Sequence, residues 1–306
     1  MTGSTSATVP APAGPRDASL SIAVARYPYT ERLLSGSTHL EGCTLEPVEV
    51  EPIHRAFAPM VRELRYDVAE LALVTLLQAV EAGVPVVPLP VVLHGNFHHR
   101  SLWVWAGDDR LEPGDLRGRR VGVRAYSQTT ALWVRGVLLD TYGVHAQEVT
   151  WVTREGPHVL GAPEPAGVER TDRPLVDALR AGEVDAVLMG ARSVDHVDGL
   201  EPLIPDWELQ QRHFLDQHGW VPANHLAVVR RDLLENRPDL VRTVYRALTD
   251  GIDAVPTGPA VRHGVDGTLL AVLDTAIRHA REQGLIGTGL SAEGLFGEFL
   301  RAVGDR

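Results

Sequence analysis

The run His94, His98, His99 and Arg100 is the densest concentration of titratable groups in this chain, and Glu70 and the pair Asn224–His225 are two further candidates for acid–base chemistry. Glu70 ends a short strand-like stretch, YDVAEL, just before a strongly apolar segment. In a dry cleft its pKa would rise, which suits a proton donor or a carboxylate that accepts a substrate hydroxyl. Asn224 and His225 follow Pro222 at the start of a late strand, where a histidine could give a proton or hold a phenol. His94 and His98 have the i,i+4 spacing of a helical metal pair, but Gly95 and Asn96 between them read as loop, and spacing supplies no third ligand. No metal site is expected. If Phe97 to Ala106 is extended, His99, Ser101 and Trp103 share one face, and His98 and Arg100 share the other.

A second kind of chemistry is anion binding. Val121 to Gly143 begins as an apolar strand and breaks into a polar loop of Tyr126, Ser127, Gln128, Thr129 and Thr130. It then becomes a helix with Leu132, Val134, Leu138 and Leu139 on its apolar side and Gly143 as its stop. A strand that runs through hydroxyls into a helix offers free N–H groups and a positive dipole end to a carboxylate or phosphate. The plain alternative is an ordinary helix capped by Ser127 or Thr129.

Composition narrows the choices. The net charge of −11 argues against nucleic acid, whose phosphates call for a basic surface. No stretch is long and apolar enough for a transmembrane helix. Every basic residue is Arg, so a lysine Schiff base, covalent pyridoxal phosphate and a P-loop lysine are all excluded. Arginine favours planar capture of carboxylates. The single cysteine, Cys43, cannot form an internal disulfide and reads as a buried structural thiol. No G-x-S-x-G, H-E-x-x-H or G-x-G-x-x-G follows a strand, which weakens hydrolase, zinc-protease and dinucleotide readings. Residues 1–19 are small, polar and proline-containing, without a basic or apolar signal region, and read as a disordered tail on a cytoplasmic protein.

The elements that must position these groups alternate strand and helix. Strands are expected near 20–25, 44–50, 66–71, 101–106, 120–124, 149–153, 185–189 and 225–230. Helices are expected near 53–64, 73–82, 131–142, 174–181, 233–248, 267–283 and 292–303. Residues 154–173 read as a Gly- and Pro-rich loop. The β-α-β-α-β order calls for mostly parallel α/β sheets in two lobes, one of residues 20–104 and 200–306, the other of 105–199, with a ligand cleft between them.

Five patches resemble one family in order and spacing: Tyr27 with Thr30, Leu33 and Gly36; YDVAEL with Glu70; Phe97 with His99 and Ser101; LRGRRVGVRAYSQTTALWVRGVL; and VPANHLAVVRRDLL. The chain resembles the 4,5-dihydroxyphthalate decarboxylases. The resemblance implies a type II periplasmic-binding-protein-like fold and a cofactor-independent lyase acting on a small hydroxylated aromatic acid in the interlobe cleft. It implies His99 or His225 as proton donor and Glu70 as holder of a phenolic hydroxyl. Tyr126, Ser127, Thr129 and Thr130 would bind carboxylate with help from Arg100 or Arg135. Tyr27, Thr30, Ser101 and Asn224 would complete the substrate site, with a homodimer as a candidate assembly. Another lyase or tailoring enzyme of secondary metabolism on the same fold, and a non-catalytic solute-binding protein, remain open.

Overall fold

The computed structural model describes residues 18–35, 39–107, 109–194 and 196–304. The expected tail lies outside these up to residue 17, as does Gly36, while Ala18 and Ser19 already belong to the first strand. In chain order the strands are β1 (Ala18–Ala23), β2 (His39–Leu40), β3 (Cys43–Pro47), β4 (Val68–Ala72), β5 (Val86–Gly95), β6 (Leu102–Trp105), β7 (Arg120–Ala125), β8 (Thr150–Glu155), β9 (Val168–Arg170), β10 (Ala186–Leu188), β11 (Leu200–Pro202), β12 (Ala223–Arg230) and β13 (Arg262–His263). They form two sheets, ordered β13-β5-β12-β4-β1-β3-β2 and β11-β6-β10-β7-β8-β9. The trio β4-β1-β3 is parallel, as is the run β10-β7-β8-β9. Antiparallel strands flank both sets.

The chain reaches the second sheet at β6, so Leu102–Val104, expected in the first lobe, hydrogen-bond in the second. It returns through β12. The C-terminal helix Gly267–Glu282, expected with the first lobe, packs on the helix Thr129–Tyr142 that follows β7. Leu132, Trp133, Leu269, Leu273 and Ile277 thereby join one buried cluster with Leu73 and Leu76 of the first lobe. Apolar burial thus runs continuously across the two lobes.

Three expectations need correction. The helix expected over 233–248 forms as two, Arg231–Asn236 and Pro238–Asp253, because Pro238 lacks an N–H and suits the first position of a new helix. The loop at 154–173 contains β9, which adds in parallel to β8. A helix at Trp207–His218 was not anticipated; none of its residues is buried, so it has no strong apolar stripe to read. Cys43 is fully buried, as a structural thiol should be. Among the described residues no helix is long and apolar enough to cross a membrane.

Candidate active site

Glu70 and His225 are brought together by sheet register. In the antiparallel pair β4–β12, Ala227 lies opposite Glu70 and His225 opposite Ala72, so Glu70 and His225 share a face one step apart on the diagonal. His225 Nδ1 lies 2.6 Å from Glu70 Oε1. A carboxylate can only accept here, so Nδ1 carries the hydrogen and Nε2 is left as the working nitrogen. The Glu70 side chain is fully buried, whereas His225 keeps 17% of its side-chain exposure. Solvent and ligand can therefore reach only the histidine of the pair.

Two more donors hold Glu70. The Tyr27 hydroxyl donates to Oε1 at 2.8 Å and the Ala25 N–H to Oε2 at 2.9 Å. Burial pushes the Glu70 carboxyl up. The bond to His225 and its charge, with the Ala25 and Tyr27 donors, outweigh that and hold it below the ordinary carboxylate range. The expected rise in its pKa is thus reversed: Glu70 is a fixed anion that orients His225, and its lone pairs are already engaged inside the protein. Burial, followed by the Glu70 charge, raises the Tyr27 phenol well above its usual value, so Tyr27 stays a neutral donor.

Aromatic rings complete the wall. Tyr27 stacks on Tyr29 with centroids 5.0 Å apart, and His94 lies beside both Tyr27 and His225, at 6.1 and 5.3 Å. His94 is opposite His225 in the β5–β12 ladder. Phe57 makes edge contacts with His225 at 5.1 Å and with His158 at 5.9 Å. One ring therefore separates the dyad from a cavity of about 530 Å³ between the lobes. That cavity is lined by His54, Arg55 and Arg62 from the first lobe and by Arg124, Glu155 and His158 from the second. Three guanidiniums facing one carboxylate suit an acidic guest.

Two helix N-termini meet at the same joint. The helix Leu73–Glu81 leaves β4 directly, and its Val74 N–H donates to Thr129 Oγ1 at 3.1 Å. Thr75 Oγ1 lies 2.9 Å from His158 Nδ1. Thr129 thus satisfies a helix of the other lobe instead of capping its own, whose N-cap position, Gln128, makes no side-chain cap. Gly143 closes that helix in the left-handed region, at φ 66°, as its sequence position predicts.

Other expected contacts lie elsewhere. Asn224 precedes His225 on one strand and so faces the opposite side, where Oδ1 lies 2.8 Å from His98 Nε2. His94 and His98, weighed as a metal pair, therefore have different partners. His99 packs against Phe97 and Phe214 and, with His98, lines a different cavity of about 600 Å³, on the far side of the crossing from the Phe57 ring; like the arginine-lined cavity, it has neither Glu70 nor His225 in its lining. Arg100 lies over the rings of Trp103 and Trp207. Ser101 bonds through its backbone to His98 and Met189. Thr30 is buried, donates to the Ala25 carbonyl and accepts the Tyr27 N–H, so it shapes the turn that carries Tyr27. Tyr126 donates to the Gln283 carbonyl, and its ring lies under the buried Arg135 guanidinium at 3.9 Å. Arg135 also bonds Gln283 and the Tyr126 carbonyl, so it holds the loop from behind, and burial pushes it down to about 10. Ser127 is buried and Thr130 half-buried at the start of the helix.

Sequence reasoning missed His94 as a neighbour of His225, as well as Phe57, Arg62, Arg124 and His158. The rule that ligands gather at strand carboxyl ends could have flagged Arg124 and His158, which close β7 and follow β8.

The buried histidines have a measurable consequence. Burial pushes His98, His99 and His158 down to about 4, with nearby Arg124 and Arg62 adding to the effect on His158. Below pH about 6.5 the unfolded chain takes up protons that these folded imidazoles refuse, so stability falls with pH through that window. For His98 the loss should be about 2 kcal/mol by pH 5. Urea melts at pH 7 and pH 5 should show it, and His98→Gln should flatten the slope. An unchanged slope would remove His98 from the account.

Two crossings between two α/β sheets, with charged residues gathered at the strand ends between them, define a two-lobed protein of the periplasmic-binding-protein-like fold. No family model matches the chain. The alkanesulfonate-binding protein SsuA of Xanthomonas axonopodis pv. citri, bound to MOPS, superposes with a TM-score of 0.58 at 13% identity, over 90% of this chain and 97% of that one. The desulfurization enzyme DSZB gives 0.53 at 19% identity, over 94% and 99%. Among curated relatives, the 4,5-dihydroxyphthalate decarboxylase of Comamonas testosteroni is 30% identical over 250 residues, covering 74% of this chain and 73% of its own. That of Pseudomonas putida is 32% identical over 181 residues, covering 55% and 69%. The chain belongs to the 4,5-dihydroxyphthalate decarboxylase family, and with it to the carboxy-lyases.

Proposed function

We propose that this enzyme decarboxylates a hydroxylated aromatic dicarboxylic acid of the 4,5-dihydroxyphthalate type, using only its own side chains. The observation that carries the reading is the Glu70–His225 pair, whose partly exposed histidine lies one aromatic ring, that of Phe57, from an arginine-lined interlobe cavity, so that a substrate held there meets His225 once that ring moves aside. In such a substrate each carboxyl stands para to a ring hydroxyl. The phenol gives up its O–H proton to solvent and pushes electrons into the ring, while His225, protonated for this step on Nε2 as well as on the Nδ1 that bonds Glu70, delivers the Nε2 proton to the carbon bearing the carboxylate. The ring is then a dienone; the carbon–carboxylate bond breaks, CO2 leaves, and the bonding pair restores aromaticity. The dienone carbonyl serves as electron sink and becomes the phenolate, so this step requires no cofactor. The phenolate and His225 each regain a proton from solvent. Arg55, Arg62 and Arg124 hold the carboxylates and the helix N-termini add their dipoles.

The test is incubation of the purified protein with 4,5-dihydroxyphthalate in D2O. The expected result is one CO2 released per substrate and one deuterium at the vacated ring carbon. Recovery of unchanged acid would refute the reading, and loss of water would point to a dehydratase.

Arg62 supplies a finer check. It donates to the carbonyls of Pro157 and His158, and so pins the loop that carries His158 over the cavity. Arg62→Ala should raise KM about tenfold, with a smaller change in kcat, since charge-assisted bonds of this kind contribute about 1.5 kcal/mol or more. Steady-state kinetics would separate the two constants.

A further inference from the structure

The larger cavity, of about 600 Å³, takes no part in the chemistry above, yet it has the features of a site. Its walls come from both crossings between the sheets: His98 and His99 from the first, Pro222 and the helix Trp207–His218 from the second. The helices Thr129–Tyr142 and Gly267–Glu282 close it with Trp133 and His279. The floor is aromatic. His99 lies 5.8 Å from Phe214, Phe214 4.4 Å from His218, and Trp133 6.1 Å from His279, centroid to centroid. Such a surface accepts a flat ring by stacking and edge contacts.

Its polar groups select what that ring carries. His99 is 5% exposed, and its Nδ1 has no hydrogen-bond partner in the protein. A buried polar atom without a partner is uncommon and is satisfied by something that enters. Burial keeps this imidazole neutral, so it meets a hydroxyl as donor or acceptor and offers no positive charge to an acid. At the rim Asp140 presents a carboxylate. Among the described residues of the lining the one guanidinium, Arg278, already pairs with Asp140 at 2.9 Å and Glu282 at 3.1 Å, and His279 Nε2 lies 3.4 Å from Asp140 as well. A benzoate would face the Asp140 carboxylate across a guanidinium that is already paired, whereas a phenolic O–H finds acceptors.

We propose that this cavity is a second binding site, separate from the interlobe site, for a neutral hydroxylated aromatic ring of the phenol or catechol class. The site stands independently of the decarboxylation reading. It is tested by titrating the full-length protein with catechol in a calorimeter, with benzoate as the charged counterpart. Catechol is expected to bind one to one and more tightly than benzoate. His99→Leu, which removes the buried acceptor, should weaken it roughly tenfold. Gln217→Trp, a change at the exposed rim that fills the mouth, should weaken it at least as much, and decides the matter if His99→Leu does not fold. Arg62→Ala, in the other cavity, should leave it unchanged. The proposal is overturned if catechol produces no heat up to its solubility limit, if benzoate binds more tightly, if Gln217→Trp binds catechol normally, or if Arg62→Ala abolishes binding.

Discussion

Replacing His225 with Gln is expected to lower kcat for 4,5-dihydroxyphthalate by about three orders of magnitude, the range that removal of a positioned proton donor commands. Gln can still hydrogen-bond Glu70 but has no proton to give at neutral pH, so the fold should survive while the chemistry does not. Glu70→Gln should fall nearly as far by a different route. Glu70 receives His225 Nδ1–H, the Tyr27 hydroxyl and the Ala25 N–H. An amide in its place offers only one oxygen and turns an N–H2 group towards one of those donors. That favours the wrong imidazole tautomer and leaves a buried donor unsatisfied. Tyr27→Phe removes one of the three bonds and should cost only about tenfold. The ordering is the diagnostic: a large effect at His225 and Glu70, a modest one at Tyr27. If His225→Gln keeps more than a tenth of the parental kcat, the proton comes from another group. A carbon kinetic isotope effect at the departing carboxyl would then show whether protonation or bond cleavage limits the rate.

Each half of this pair was legible in the sequence, but the pair itself was not. Glu70 stands out as an acid, expected at a strand end although it lies in the middle of β4, and His225 as a histidine after Pro222. Their contact depends on the antiparallel register between strands that are 155 residues apart, and local periodicity does not carry register. The same register explains where Asn224 lies. It was grouped with His225 by adjacency, yet alternation along β12 sends the two side chains to opposite faces. His99 was drawn into the cleft by its neighbours in the chain and by family resemblance, whereas it sits in the crossing and points into a separate cavity. The hydroxyl loop was recognised as something poised at a helix start. What could not be read was that Thr129 would cap a helix from the other lobe, since that partner exists only once both lobes have formed. Gly143, a purely local signal, was read correctly. The helix Trp207–His218 escaped because it buries no residue and therefore leaves little pattern.

Gly251→Ala should destabilise the protein by about 3 kcal/mol, the upper end of the cost of overpacking, and lower Tm by roughly 5–10 °C. Gly251 lies in the helix Pro238–Asp253, where Ala would ordinarily be the better helix former. Here a Cβ would overlap the carbonyl oxygen of Tyr29, a backbone atom that cannot swing aside as a side chain does. The consequence reaches the site. The Tyr29 hydroxyl donates to the Leu93 carbonyl and its ring stacks on Tyr27, whose hydroxyl holds Glu70. Pushing the Tyr29 backbone away from the helix therefore loosens the tyrosine stack and, through it, the orientation of His225. Both Tm and kcat should fall, whereas the KM change of Arg62→Ala should come without a large loss of stability. Gly267→Ala is the control. It starts the helix Gly267–Glu282, a Cβ there meets nothing within 4 Å, and the change should be neutral or slightly stabilising. Differential scanning calorimetry of the two variants beside the parent decides it. A Gly251→Ala protein that melts with the parent would mean that the Tyr27–Thr30 turn can shift at little cost, and the rigidity ascribed to the Tyr27–Glu70–His225 chain would have to come from β4 and β12 alone.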